Sequence, residues 1–252
     1  MSNNISIVVT IQNRSKVCYN LNEIKNFTQQ EKNNILNHSS IINTQETINL
    51  GYGGVEADNI ILNDCVLVFE NFVKYISKQI KYFDGDVQLV VVDWGSEDGS
   101  VEQTIKDYWC YEYKFIQLGN ETFSRGYGLN KGIQNAKYNN LHITDVDLEY
   151  HSPRFLEECS ELTDGVIFPT IYKETSPSGL YHYLEIAGTG ICSITKDLFS
   201  KTEGYPDIRK WGGEDIDLFN QLVEIIEPSK IKRTIYPEVI HKWHSEMLGK
   251  YK

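Results

Sequence analysis

No stretch of the 252-residue chain approaches the ~18 consecutive apolar residues that a membrane-spanning helix needs, so the sequence predicts no transmembrane segment. Basic residues are scarce. The 24 Lys and Arg against 35 Asp and Glu give a formal net charge of −11, which argues against nucleic acid or an anionic membrane held through a broad basic surface. A small polyanion is not excluded, because a metal and one or two local cations neutralise a diphosphate. The five cysteines (Cys18, Cys65, Cys110, Cys159, Cys192) are odd in number, scattered and without a CxxC pair. They read as reduced thiols of a cytosolic protein rather than as a disulfide framework. Met1-Ser2-Asn3-Asn4 lacks a basic region followed by an apolar run, so no signal peptide is expected. Gly51-Tyr52-Gly53-Gly54 lacks the GxGxxG and GxxxxGK(S/T) orders that cradle phosphate. There is neither an internal repeat nor a flexible linker, so the expectation is one domain over 1–252.

What is present is the rhythm of an open parallel α/β sheet. Ile5–Thr10 and Val87–Asp93 are apolar on both faces, as buried parallel strands are. Ser100 is placed to cap a helix starting near Val101. Lys114–Leu118 is a third strand, Tyr127–Lys137 a helix with Leu129, Ile133 and Ala136 near one face, and Asn140–Thr144 a strand leading to Asp145. The Asn/Gln/Thr/Ser-rich segment 20–63 breaks this rhythm and reads as an insertion with a short helix and a hairpin. The periodicity of Cys65–Ile80 predicts a helix with Val66, Phe69, Phe72, Val73 and Ile76 as its apolar stripe. Asp215–Ile226 is a further helix, with Ile216, Phe219, Leu222, Val223 and Ile226 as expected core positions. Ligands of such sheets bind beyond the carboxyl ends of the strands, where Asp93 and Asp145 fall. Taken alone, Asp93 suits a turn or a helix cap equally well.

Three clusters carry the chemistry: Asp145-Val146-Asp147, Trp211-Gly212-Gly213-Glu214-Asp215 and His241-Lys242-Trp243-His244. Two carboxylates and two imidazoles suit a divalent metal of borderline hardness, manganese being a natural candidate. An acidic loop lies between the metal-type clusters, which suggests an enzyme that handles a metal-bound diphosphate. On helix logic alone, Glu214 and Asp215 are ordinary acidic residues in a first helical turn.

These residues also match a family. The run Gly188–Val223 (GTGICSITKDLFSKTEGYPDIRKWGGEDIDLFNQLV) resembles the signature half of the β-1,4-galactosyltransferase group, with its WGGED motif. Phe123-Ser124-Arg125 with Leu129-Asn130-Lys131-Gly132, the DVDL at Asp145–Leu148, and Ile11-Gln12-Asn13-Arg14 are similar to further segments of that group. Val90–Ser100 (VVVDWGSEDGS) is closer to the wider family-2 transferases. The resemblance covers about 5–14 and 87–247 and implies a GT-A fold: a nucleotide-sugar-binding half, 1–150, and an acceptor-binding, catalytic half, 151–252.

Carried over residue by residue, the resemblance implies that Asp147, His241 and His244 bind the metal, Mn²⁺ with Mg²⁺ as an alternative, while Asp145 lies nearer the ribose. Arg14, Phe123 and Arg125 would contact the nucleotide and Asp93 the base. Trp211, Gly212, Gly213, Glu214 and Gly190 would line the sugar, Trp211 by stacking and Glu214 by accepting hydroxyl hydrogen bonds. Asp215 would be the base that takes the acceptor hydroxyl's proton. WGGED and DxD differ from the WGGEN and DxH of retaining polypeptide N-acetylgalactosaminyltransferases, which favours inversion. Trp94 and Ser124 depart from the family pattern at base and ribose contacts. Ala187 or Ile186 stands where the galactosyltransferases carry a bulky tyrosine, so UDP-GalNAc and UDP-GlcNAc join UDP-Gal as expected donors. The acceptor would be a glycan or glycoconjugate. Lacking the stem, anchor and paired cysteines of the animal enzymes, the chain is expected to be a cytoplasmic enzyme of microbial or viral surface-glycan synthesis. A retaining transferase, a nucleotidyltransferase and an inert sugar-binding module are the competing readings.

Overall fold

The computed structural model describes residues 3–13, 68–97, 99–119, 122–174, 182–209 and 212–242, and the backbone of five short strands between 17 and 66. Strands β1 (Ile5–Ile11) and β2 (Val87–Asp93) pair in parallel in the middle of the molecule, and every residue of β2 is buried. Alternation splits their side chains between two cores. Ile5, Ile7, Val9, Ile11, Leu89 and Val91 meet the helix α1 (Val68–Ile80) through Phe69, Phe72, Val73 and Ile76. Val8 and Val90 face the opposite way, toward Leu129 and Ile133. Covering both faces explains the predominantly apolar runs of the two strands, and the buried Ser6 hydroxyl is satisfied by Gln88 Oε1.

Beyond β2, the helix α2 (Val101–Tyr108) is capped as expected: Ser100 Oγ accepts the amide of Gln103 at 3.2 Å. Strand β3 (Glu112–Gln117) extends the sheet on one side and β4 (Asn140–Ile143) lies on the other side of β1, both parallel. The intervening helix α3 (Arg125–Asn135) begins two residues earlier than its periodicity suggested, with Ser124 as its cap. It lies close on β1 because of two glycines one turn apart: a Cβ at Gly128 would collide with Thr10 Oγ1, and one at Gly132 with Val8 Cγ1. That close packing carries Arg125 to the carboxyl end of β4.

The second half alternates between two sheets. After β5 (Leu148–Tyr150) and α4 (Arg154–Ser160) come β6 (Val166–Ile167), β7 (Thr170–Glu174), β8 (His182–Glu185), β9 (Cys192–Thr195), the short α5 (Lys196–Phe199), α6 (Glu214–Ile225), β10 (Ile231–Lys232) and β11 (Ile235–His241). The large sheet has the order β10-β6-β9-β4-β1-β2-β3, and β9 runs antiparallel to both β4 and β6. The small sheet, β5-β11-β7-β8, is mostly antiparallel.

Two expectations need correction. The helix over Cys65–Ile80 starts at Val68, since Cys65 and Val66 form a strand that pairs with Val17–Cys18 and Ile41–Ile42. The core face of α6 is also shifted. Leu222 is buried and Phe219 and Ile226 pack against the core as expected, but Leu218 joins them while Ile216 and Val223 are 56 % and 46 % exposed. The apolar residues span a wider arc than the sheet can cover. In the insertion, Thr47–Asn49 pairs antiparallel with Asn59–Ile61 in keeping with a hairpin, and the short helix expected there lies outside the described residues.

Candidate active site

Four chain segments meet at the carboxyl end of β4. Arg125, on the first turn of α3, ties them together. Its Nε donates to Asp145 Oδ1 at 2.9 Å, its Nη1 to Glu214 Oε1 at 3.4 Å and its Nη2 to the carbonyl of Gly190 at 2.5 Å. Burial opposes the guanidinium's charge, but Asp145, Tyr205 and Glu214 outweigh it and raise the pKa above the ordinary arginine value. One planar cation with several fixed donors satisfies three acceptors from three segments, which a lysine does not do.

Asp215 follows Glu214 at the start of α6, and its Oδ2 accepts a 2.6 Å hydrogen bond from Thr189. The helix begins abruptly because Gly212 and Gly213 adopt φ of +84° and +103°, left-handed conformations that favour glycine. Gly190 sits between the carboxylates. A Cβ there would lie 3.7 Å from Asp145 Oδ2, 3.8 Å from Arg125 Nη2 and 4.0 Å from Asp215 Oδ2. The missing side chain therefore leaves room that faces three charged groups at once.

Asp147 precedes β5 and His241 ends β11. The pairing of these strands sets Asp147 Oδ2 3.6 Å from His241 Nε2, and the amide of Lys242 donates to Asp147 O at 2.9 Å. A separation of 3.6 Å suits two ligands of a single ion, since each would lie at about 2.1 Å from it. Among the described residues no group of three or more His, Cys, Asp and Glu side chains is gathered as a metal site, so Asp147 and His241 stand as a pair.

The expected nucleotide residues lie further along the same edge. Asp93, at the end of β2, is buried, and its Oδ1 accepts from the Ser96 amide at 3.1 Å and the Ser96 hydroxyl at 2.6 Å, a turn-forming arrangement. Phe123 packs edge-on against Trp94, with ring centroids 5.6 Å apart. Trp94 itself is buried, and its indole N–H donates to Thr10 Oγ1 at 3.0 Å. The site residues Arg14, Trp211 and His244 lie outside the described residues.

Sequence reasoning missed Thr189, which holds Asp215, and Arg233, which donates to Gly188 O at 2.6 Å and so anchors the glycine loop. It also missed Asn130, whose side chain bonds both the carbonyl and the amide of Tyr205, at 2.7 and 3.0 Å. Thr189 carried a signal, lying between Gly188 and Gly190 in a run of small residues, and Asn130 lay within the Leu129–Gly132 segment of the resemblance, while Arg233 carried none.

Residues 172–241 match the family model described as the N-terminal domain of galactosyltransferase. Mouse chondroitin sulfate N-acetylgalactosaminyltransferase 1 is 28 % identical over 208 residues, an alignment spanning 71 % of this chain and 38 % of that protein. Chondroitin sulfate N-acetylgalactosaminyltransferase 2 of mouse is 24 % identical over 210 residues, with the same coverage. The chain thus spans well under half the length of these relatives.

Among solved structures, Staphylococcus aureus TarS 1-349 in complex with UDP-GlcNAc superposes with a TM-score of 0.58 at 11 % identity, over 97 % of this chain and 60 % of that one. Glucosyl-3-phosphoglycerate synthase from Mycobacterium tuberculosis, with Mn²⁺, UDP and phosphoglyceric acid, gives 0.54 at 11 % identity, over 96 % and 72 %. The fold is GT-A. In sequence the chain is thus similar to glycosyltransferases, and in fold to GT-A enzymes. No helix among the described residues is long and apolar enough to cross a membrane.

Proposed function

We propose that the chain transfers a hexose or N-acetylhexosamine from a UDP-sugar to a hydroxyl of a glycan acceptor, with inversion and dependence on a divalent cation. One observation carries this reading. Asp145 and Asp215, which lie 70 positions apart, face one glycine-sized gap at Gly190, with Arg125 between them. Donor diphosphate chemistry on the Asp145–Asp147 side and proton abstraction on the Asp215 side need that juxtaposition.

Asp147 and His241 would hold the cation, Mn²⁺ or Mg²⁺, with His244 as a third ligand. Such an ion supplies counter-charge to a diphosphate leaving group. Asp145 faces the ribose, and Asp93, Phe123, Arg14 and Arg125 form the nucleotide side. In this reading Arg125 works chiefly by fixing Asp145, Glu214 and the Gly190 carbonyl, each of which takes one of its donors. Gly212, Gly213 and Gly190 let the sugar approach the backbone, Trp211 offers a stacking face, and Glu214 accepts sugar hydroxyls. The Thr189 hydroxyl holds one oxygen of Asp215, orienting the carboxylate to receive the acceptor proton as the new bond forms. Among UDP-Gal, UDP-GalNAc and UDP-GlcNAc, the activity named for the matched relatives favours GalNAc. Ala187, exposed beside the Gly188–Gly190 loop, leaves room for an acetamido group.

The test is UDP release from these three donors with and without Mn²⁺, in the parent and in Asp215→Asn. Metal-dependent release with one preferred donor, lost in the variant, and a product of inverted anomeric configuration is the expected result. A retained configuration, or full activity of Asp215→Asn, refutes the assignment of the base.

A further inference from the structure

Behind the acidic loop runs a line of polar side chains that the proposed chemistry does not use. Cys159 on α4 lies with its Sγ 2.8 Å from Ser193 Oγ, and Ser193 Oγ lies 3.1 Å from His142 Nδ1. His142 Nε2 is 2.6 Å from the Tyr150 hydroxyl, which is 2.8 Å from Thr144 Oγ1. Thr144 Oγ1 in turn donates to the backbone carbonyl of Asp145 at 3.3 Å. His142, Tyr150 and Ser193 are fully buried, and the imidazole is wedged edge-on between the rings of Tyr150 and Phe155.

The last contact fixes the direction of all the others. Thr144 spends its proton on Asp145 O, so its oxygen accepts from Tyr150. The Tyr150 oxygen then accepts from His142 Nε2–H, which leaves Nδ1 to accept from Ser193, whose oxygen accepts from the Cys159 thiol. Every proton points the same way, toward the loop, and aligned bonds of this kind polarise and strengthen one another. Burying five polar groups among aromatic rings is costly unless each is paired. A core that had only to be filled would be served as well by apolar side chains. Moreover, Thr144 and Tyr150 bracket the segment Asp145-Val146-Asp147.

We infer that the buried line Cys159–Ser193–His142–Tyr150–Thr144 is a positioning device for the Asp145–Asp147 loop, with Tyr150 and Thr144 as the residues that set its conformation. The inference rests on the proposed function only in taking that loop to be the cation and diphosphate loop. Tyr150→Phe removes the central hydroxyl and keeps the ring. Thr144→Val breaks the final link, and Thr144→Ser retains it.

The test has two readouts: amide hydrogen exchange of the ligand-free chain, and Mn²⁺ affinity in the presence of UDP, followed by electron paramagnetic resonance. Substitutions that act through a ligand's outer partners commonly weaken metal binding about 10- to 100-fold. Tyr150→Phe and Thr144→Val are expected to do so, and to speed exchange at 145–147 beyond any change in β1 or α3. Thr144→Ser should match the parent. Exchange and Mn²⁺ affinity at parent values in both Tyr150→Phe and Thr144→Val, with only a lowered melting temperature, would overturn the inference. If the parent itself fails to bind Mn²⁺ with UDP, the functional reading fails, and the exchange comparison alone still decides the positioning role.

Discussion

Replacing Arg125 by Met tests the centre of the site, because the change keeps the apolar stem and removes all of its donors. The Asp145 side chain is 42 % exposed and rehydrates when its partner goes, so its share is small, about 0–1 kcal/mol. Glu214 is different. Its side chain is only 9 % exposed, and the variant leaves its charge facing a methionine. Breaking a buried pair in this way costs about 3–5 kcal/mol, and the 3.4 Å length of this contact argues for the lower end, about 3 kcal/mol. For a chain of this size such a loss lowers Tm by about 6–12 °C. The double variant Arg125→Met/Glu214→Gln removes the stranded charge and should recover about 1–2 kcal/mol relative to the single variant, a coupling that independent sites would not show. Scanning calorimetry of the three proteins is sufficient. A single variant within about 2 °C of the parent, or a double variant no more stable than the single one, refutes the view that Arg125 holds the site together.

Two further outcomes follow from the same geometry. Alanine at Gly190 places a methyl group between Asp145 and Asp215, while its contacts, 3.7 Å or longer, do not crowd the fold. Gly190→Ala is therefore expected to keep the parent's Tm and lose on the order of 100-fold in donor turnover, since small displacements at reacting groups cost that much; undiminished turnover refutes it. Burial holds His142 neutral in the folded chain, with its pKa pushed down to about 3 from an ordinary value of 6.5. Between those values the unfolded chain binds a proton that the folded chain does not. Stability from this residue is therefore complete above pH 6.5 and is lost as pH falls toward 3, by up to about 1.4 kcal/mol per pH unit. Denaturant titrations at pH 7 and 4.5 should show a shallower decline for His142→Gln than for the parent, and equal declines would refute the assignment.

How much of this was legible beforehand depended on whether a residue's role is local. The strands β1 and β2 were readable because burial on both faces leaves a predominantly apolar, β-branched run, and the start of α2 because Ser100 caps its own helix through a contact three residues away. In α6 periodicity revealed the helix and placed Phe219, Leu222 and Ile226 correctly, but it missed Leu218 and wrongly included Ile216 and Val223, which lie at the exposed edge of the apolar stripe. Only the position of the sheet decides which edge is covered. The antiparallel β9 beside β4 left no trace in either strand's sequence, because such pairing is settled by contacts 50 residues apart.

The site divides along the same line. Asp145 and Asp147 announce themselves as acids after a strand, and Glu214 and Asp215 as acids behind two glycines. The bridge between these clusters does not. Arg125 meets Asp145, Gly190 and Glu214 only because Gly128 and Gly132 allow α3 to settle onto β1, so the residue that organises the carboxylates is specified by two glycines one and two turns further along the helix. A side chain at Gly132 meets Val8 in the core, with no polar group of the site nearby, yet α3 would have to lift off β1 to admit it and Arg125 would move with the helix. Packing far from the reacting atoms thus sets the spacing of the carboxylates as directly as their own positions in the chain do.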